Sequence, residues 1–390
     1  MKICLINSLY EPYYRGGVEV VVHRVIDGLK QLNHEVILIT LGRKNDKVQF
    51  GNLTIYRVNP RNIFSFLDIN KRPIWLRLIW HPLDVFNFFG RHLVKKILKQ
   101  EKPDLVITHN LKGIGYLVPR VIKKLGFQHI HTIHDVQLSR PSGLLLFNKE
   151  KPFLVIDKLY EKICRWLFNN PDIIVSPSAW LLDYYKVRGF FYESKKAVLP
   201  NPIVFEKVEK LAPAAKTDKL INLLYVGQLE SAKGIDLLIA ACQKLKLNNW
   251  HLTIVGSGSM QAGLSKSIGS DKHFSLAGYI EPEKLLAYYR QADLTVVPSL
   301  CYENSPVVIY DSLVANVPVI ASDIGGIGEL VKDNYNGFTF IPGNEKNLVE
   351  VLEHFLAHPE LIDELSKNCF ISVRNFSTAN YIKQLLQLRV

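Results

Sequence analysis

The sequence predicts an α/β protein built from two Rossmann-like domains, each a doubly wound parallel sheet. Three observations predict it. Short β-rich runs alternate with amphipathic helical runs through nearly the whole chain, the pattern of parallel sheets covered by helices on both faces. A length of 390 residues suits two or three ordinary domains. The alternation breaks once, near 200–218, where a stretch rich in Pro, Lys and Glu lacks strand or strong helix periodicity and reads as a linker. The expected domains are therefore 1–200 and 201–375, with a terminal helix at about 376–390 packing back on the first.

In the first half the strand-like runs are KICLIN (2–7), EVILIT (35–40), DLVIT (104–108), HIHTI (129–133) and DIIVSP (172–177). Between the first two, Val18, Val21, Val22, Val25 and Leu29 keep the spacing of one helical face. The second half repeats the scheme with INLLYV (221–226), HLTIV (251–255), DLTVV (293–297) and VPVIAS (317–322). IDLLIAACQKL, PEKLLAYYRQA and PVVIYDSLVAN read as its helices. Two such domains place ligands at the carboxyl edges of their sheets, with a cleft expected between those edges.

Composition narrows the function classes. At 48% hydrophobic and 22% charged, the chain is neither disordered nor fibrous. The net charge of +12 is unevenly placed. Residues 1–200 hold 31 Lys/Arg against 16 Asp/Glu, and residues 201–390 hold 17 against 20. Whatever attracts acidic material sits on the first half. The five cysteines have no metal or redox spacing, which points to a reduced, cytoplasmic setting. No apolar run approaches a membrane span, and the start, MKICLINSLYEPYY, reads as a strand and not as a signal peptide.

Several strand exits carry residues suited to an anion. Gly16 and Gly17 separate the first strand from the first helix, where backbone amides can approach a phosphate. VGQLESAKG (226–234) repeats the arrangement with Lys233, and IVGSGS (254–259) is a third glycine-rich exit, through Gly256. Taken singly, each is also what an ordinary turn or a solvated lysine looks like. The stretch 296–331 says more. Glu303 precedes Ser305-Pro306 at an expected helix start, and Asp311 follows eight residues later, about two helical turns along. A second helix is expected to open at Gly325-Gly326.

These motifs resemble glycosyltransferase family 4, the retaining transferases of GT-B fold. The resemblance rests on GGVE (16–19), NHEVILIT (33–40), HTIHD (131–135), VGQLESAKG (226–234) and SLAGYI (275–280). It is strongest in ENSPVVIYD (303–311), VPVIASDIGGIGELV (317–331) and NGFTFIPG (336–343). It implies a nucleotide-diphosphate sugar as donor substrate and no cofactor; no metal is expected, because the histidines and acids show no ligand spacing. By the same resemblance, Gly16 and Gly17 approach the diphosphate, Lys233 neutralises it as it leaves, and Glu303 contacts the donor sugar. Asp311 holds the ribose, Tyr279 and Ile280 meet the base through their backbone, and His134 lies near the reacting centre. Gly256, Asn304, Ser305 and Val307 complete the donor side. Two residues depart from the pattern: Gln228 stands where the family usually has Arg, and Asp311 where it usually has Glu.

The expected acceptor is a hydroxyl of a glycan or lipid-linked glycan. Segment 61–100 holds eight Lys/Arg against two Asp/Glu, interleaved with seven aromatics that include Trp75 and Trp80. That mixture suits an anionic membrane surface, approached from its inner face with both tryptophans as tips. It also describes a helical hairpin whose aromatics pack inward. No nucleic-acid motif is present. The alternatives to a transferase are an epimerase of the same architecture and, because of Gln228, a donor-binding subunit without turnover.

Overall fold

The computed structural model describes residues 1–13, 16–150, 155–204 and 220–389. Most of the expected linker, 205–219, lies outside the described residues. The chain divides into two compact units. The first comprises Met1–Leu144, Lys151–Pro202 and Thr378–Val390; the second comprises Leu145–Glu150 and Ile203–Ser377.

The first unit carries an eight-stranded sheet: β1 (Lys2–Ile6), β2 (Glu35–Leu41), β3 (Asp46–Phe50), β4 (Leu53–Val58), β5 (Leu105–Thr108), β6 (His129–Thr132), β7 (Ile173–Ser176) and β8 (Lys195–Val198). The order is β3-β4-β2-β1-β5-β6-β7-β8, and every neighbouring pair is parallel except β3 with β4. Ile3, Cys4, Leu5 and Ile6 are wholly buried, which is why a central parallel strand reads as an unbroken apolar run. The chain builds outward from β1 through β2, then returns to its other side with β5. That reversal opens a crevice at the carboxyl ends of β1 and β5.

Helix Gly17–Gln31 buries Val21, Val22, Val25 and Leu29 as its spacing predicts. Its start is fixed by the Glu19 carboxylate, which accepts the Gly16 amide at 2.8 Å. The terminal helix Thr378–Gln387 packs on this helix at Gly28. A side chain at position 28 would collide with Thr378 and Ile382, so the hydrogen of glycine sets how closely the two helices approach.

The second unit carries β9 (Ile221–Val226), β10 (Trp250–Val255), β11 (Phe274–Gly278), β12 (Leu294–Val297), β13 (Val319–Ser322) and β14 (Gly337–Phe340). All are parallel, in the order β11-β10-β9-β12-β13-β14. Leu223, Leu252, Ile254, Leu294 and Ile320 form its core with Leu238, Leu348 and Phe355 from the helices. Here the order reverses between β9 and β12, so the crevice lies where those two strands end.

Segment 61–100 forms a 3₁₀ turn and two helices, Ile74–Val85 and Phe88–Glu101. Its aromatics divide. Trp80, expected beside Trp75 as a membrane tip, is buried instead. It stacks with Phe64 and Phe66 at 5.9 and 5.8 Å and donates its indole N–H to the Phe64 carbonyl at 2.8 Å. Trp75, Phe86, Phe88 and Phe89 face outward. No helix among the described residues is long and apolar enough to cross a membrane. All five cysteines are buried and free of disulfides.

Candidate active site

In the second unit the crevice predicted by strand order is filled by two exit loops. After β9 the chain runs through Gly227, Gln228 and a 3₁₀ turn, Ser231–Lys233, into helix Ile235–Cys242. After β12 it runs from Pro298 to Pro306 before helix Val307–Val314 begins. Gly234 joins the two loops. Its φ of +70° is the left-handed region, and any Cβ there would collide with the Pro298 carbonyl oxygen. The Leu300 amide also donates to the Ala232 carbonyl at 3.0 Å. This backbone seam brings the Lys233 ammonium onto Glu303 Oε1, although the two residues are 70 apart in sequence.

The same carboxylate oxygen accepts the Ser299 hydroxyl at 3.1 Å and lies 3.7 Å from Cys301 Sγ. Burial works to lower the Lys233 pKa, but the Glu303 charge overrides it and holds the ammonium above its ordinary value. Burial, with Glu303 adding to it, pushes the Cys301 thiol up to about 12, so it stays protonated beside the pair. Lys233 is thus a fixed, partly buried cation on a rigid loop. Such a group can stabilise an anion that forms during a reaction without rearranging to do so.

A third loop completes the arrangement. Gly325, with φ +65°, follows β13, and a side chain there would strike the Glu303 carbonyl. Gly326 caps the four-residue helix Ile327–Leu330, and its amide donates to that same carbonyl at 2.7 Å. The first amide at this helix start therefore holds Glu303 in place. The eight-residue spacing of Glu303 and Asp311 also needs correction. Pro306 is the residue before the helix, so Glu303 belongs to the loop and Asp311 is the fifth helical residue. The two acids are not two turns apart on one helix.

The other donor residues expected in the second unit lie at the same sheet edge. Gly256 closes β10, donating its amide to Gly278 at 2.8 Å. Tyr279 is exposed, while Ile280 packs against the cluster of Leu224, Val255 and Tyr289. Asn304 is buried, Ser305 shares a 2.6 Å hydrogen bond with the Tyr310 hydroxyl, and Val307 opens the helix. Gln228 is exposed, and its carbonyl accepts the Tyr225 hydroxyl at 2.8 Å.

The first unit presents different chemistry at its own sheet edge. His109 follows β5 and His134 follows β6. Their rings stack with centroids 5.1 Å apart, and His109 Nδ1 lies 2.8 Å from His134 Nε2. Beneath them, the Thr108 hydroxyl joins His129 Nε2 and His131 Nδ1 at 2.7 and 2.8 Å. Burial pushes His134 down to about 4 and His129 to about 3, and lowers His109 and His131 well below their ordinary value. Burial raises Asp135 to about 6. Gly17 begins the helix after β1, while the Gly16 amide is taken by Glu19.

Three residues of these sites escaped the reading of motifs: Ser299, Cys301 and His109. Cys301 shows in the sequence only as one of five cysteines without metal or redox spacing. His109 carried one usable signal, since it is the first residue after a strand that borders the reversal in strand order. Among the described residues no group of three or more His, Cys, Asp or Glu side chains is arranged to hold a metal ion.

Comparison with known proteins bears on this geometry. A family model described as Glycosyltransferase Family 4 matches residues 15–207, and one described as Glycosyl transferases group 1 matches residues 207–371. An uncharacterized 42.6 kDa protein in the cps region of Klebsiella pneumoniae is 28% identical over 335 residues, 85% of this chain and 87% of that one. The alpha-monoglucosyldiacylglycerol synthase of Acholeplasma laidlawii is 24% identical over 400 residues, covering 98% and 95%. The structure of a sucrose-phosphate synthase from Thermosynechococcus elongatus superposes with a TM-score of 0.77 at 21% identity, covering 99% of this chain and 98% of that one. The two consecutive family models, and the two parallel-sheet units on which they fall, show that the chain belongs to glycosyltransferase family 4 and has the GT-B fold.

Proposed function

We propose that this glycosyltransferase moves a sugar from a nucleotide-diphosphate donor to a hydroxyl of a glycan or lipid-linked glycan, with retention at the anomeric carbon and without a divalent metal. The observation that carries the proposal is the Lys233–Glu303 pair at the β9/β12 reversal. As the bond from anomeric carbon to phosphate oxygen breaks, negative charge collects on the diphosphate. Lys233 meets that charge in place of a metal ion. Glu303 turns to the donor sugar and Asp311 to the ribose hydroxyls, with the backbone at Tyr279 and Ile280 against the base. The acceptor oxygen bonds to the anomeric carbon on the face the phosphate leaves. Its proton passes to the departing diphosphate, so no protein nucleophile is needed. His134, held neutral, serves as a hydrogen-bonding group for the sugar. With Gln228 in place of an arginine, Lys233 is the one cation in the loop 226–234.

One relative's place in a cps region and another's name as a glucosyldiacylglycerol synthase support an acceptor that belongs to a surface glycan or glycolipid. The test is to incubate the protein with nucleotide sugars and acceptor fractions. Release of nucleotide diphosphate and the anomeric proton of the product are then followed by NMR. The proposal expects acceptor-dependent release, an unchanged anomeric configuration, and full activity in a chelator. Inversion would contradict the mechanism. Conversion of the donor sugar without acceptor would indicate an epimerase, and donor binding without turnover a binding subunit.

A further inference from the structure

Helix Ile74–Val85 is inside out. Ile74, Trp75, Leu78, Ile79 and Leu83, with Phe86 just beyond the helix, are between 36% and 76% exposed. Their spacing of 1, 4, 5, 9 and 12 residues from Ile74 is one continuous face of a helix. Pro82 falls on the same face, so that face holds no polar side chain. His81 borders the face, half-buried and edge-on to Trp80, and the other two polar residues of the helix point away from it. Arg77 donates to the carbonyls of Arg72 and Asn70 at 2.7 and 3.0 Å. Asp84 is 2% exposed and takes the Gly113 amide at 3.0 and 2.9 Å on its two oxygens. A surface helix of a water-bounded protein has the opposite arrangement. Phe88 and Phe89, 63% and 53% exposed, carry the patch into the next helix.

The exposed charges of segment 61–100 are all basic. Of the two acids in segment 61–100, Asp84 is buried, and Asp68 is gripped by the Arg43 guanidinium at 3.1 Å through both oxygens. Lys71 and Arg72 stand exposed before the helix, and Arg61 lies over the Phe89 ring at 5.4 Å. Lys96 and Lys99 are exposed on the helix that follows. A second copy of the same face would bring like charges together. An anionic bilayer would instead accept the apolar strip below its headgroups and the basic flanks among them. Twelve residues make a helix of about 18 Å, too short to span a bilayer but suited to lie along its surface.

We propose that helix Ile74–Val85 is an in-plane membrane anchor for anionic bilayers. The proposal concerns a surface remote in sequence from Lys233 and Glu303, and its test reads binding, so it stands apart from the transferase reading. The full chain is sedimented with phosphatidylcholine vesicles, with and without phosphatidylglycerol, across a salt series. A Trp75→Ser/Leu78→Ser double variant is run beside it. Both positions are exposed, so the variant should keep the melting temperature of the parent. The proposal expects binding to the anionic vesicles that weakens with salt, and at least a tenfold loss of partitioning in the double variant. It also expects a blue shift of the Trp75 contribution to fluorescence, obtained by difference against Trp75→Phe. Three results would overturn it: no binding by the parent to either vesicle, binding that the double variant retains in full, or a concentration-dependent dimer that the same variant abolishes.

Discussion

The two sheet edges hold opposite kinds of polar site. At the β9/β12 reversal, Lys233 is kept charged because a carboxylate shares its partly buried position. At the edge beside β5 and β6, burial is the leading influence on four histidines and pushes all of them toward the neutral form. Burial acts at both places, and at the first the Glu303 charge overrides it. In the proposed function the diphosphate sits at the first edge, and a sugar hydroxyl, which asks for hydrogen bonds and not for charge, sits at the second. Four predictions follow from this contrast, and the last of them is its most direct test.

The largest effect is expected from Glu303. Glu303→Ala should abolish transfer while leaving much of the affinity for bare nucleotide diphosphate, because it removes the proposed contact to the sugar and the partner of Lys233. Asp311→Ala should weaken donor and nucleotide diphosphate alike, by about tenfold or more for lost hydrogen bonds to a charged group. Isothermal calorimetry with both ligands separates these patterns, and the reverse assignment would show the roles exchanged.

The histidine edge makes a prediction about pH. His134 and His129, with pKa values near 4 and 3, must take up protons on unfolding below the ordinary histidine value. Their contribution to stability is therefore fully present above about pH 6.5 and is lost as pH falls toward 4. Thermal melts should show a steep loss of stability over that window. Turnover between pH 6 and 8 should show no inflection from His134, and an inflection removed by His134→Gln would contradict its neutral role.

Asp84 has the opposite sign and a smaller expected effect. Burial raises its pKa to about 7, even though the Gly113 amide favours the carboxylate. Its ionised form costs stability as pH rises from about 4 through 7. Asp84→Asn keeps an oxygen for Gly113 and should melt higher than the parent at pH 8 and equally at pH 4.5. Equal melting at both pH values would show that the carboxyl is more hydrated than its burial implies.

Much of this fold was legible because buried parallel strands are continuous apolar runs. β1, β2, β9 and β13 announce themselves in that way. The hairpin of β3 and β4 does not, since β3 is an edge strand with polar and exposed residues, and neither does β8, which begins with Lys195 and Lys196. Lys233 and Glu303 were found through motifs, but their pairing depends on the reversal of strand order, which no local spacing reveals. The link from Glu303 to Asp311 was misjudged because an eight-residue interval does not say where a loop ends and a helix begins. Trp75 and Trp80 were taken together for a related reason: the phase of a helix is read from its polar face, and in this helix the polar face points inward.

Lys233→Ala tests the central claim most directly. The variant should remain folded by thermal melt. It should lose about 10²-fold or more in kcat with a good acceptor, as expected for removal of one preorganised charge from the leaving group, and Lys233→Arg should recover part of that loss. Near-normal turnover in Lys233→Ala would contradict the account, because the diphosphate would then be stabilised by something other than the charged edge of the second unit.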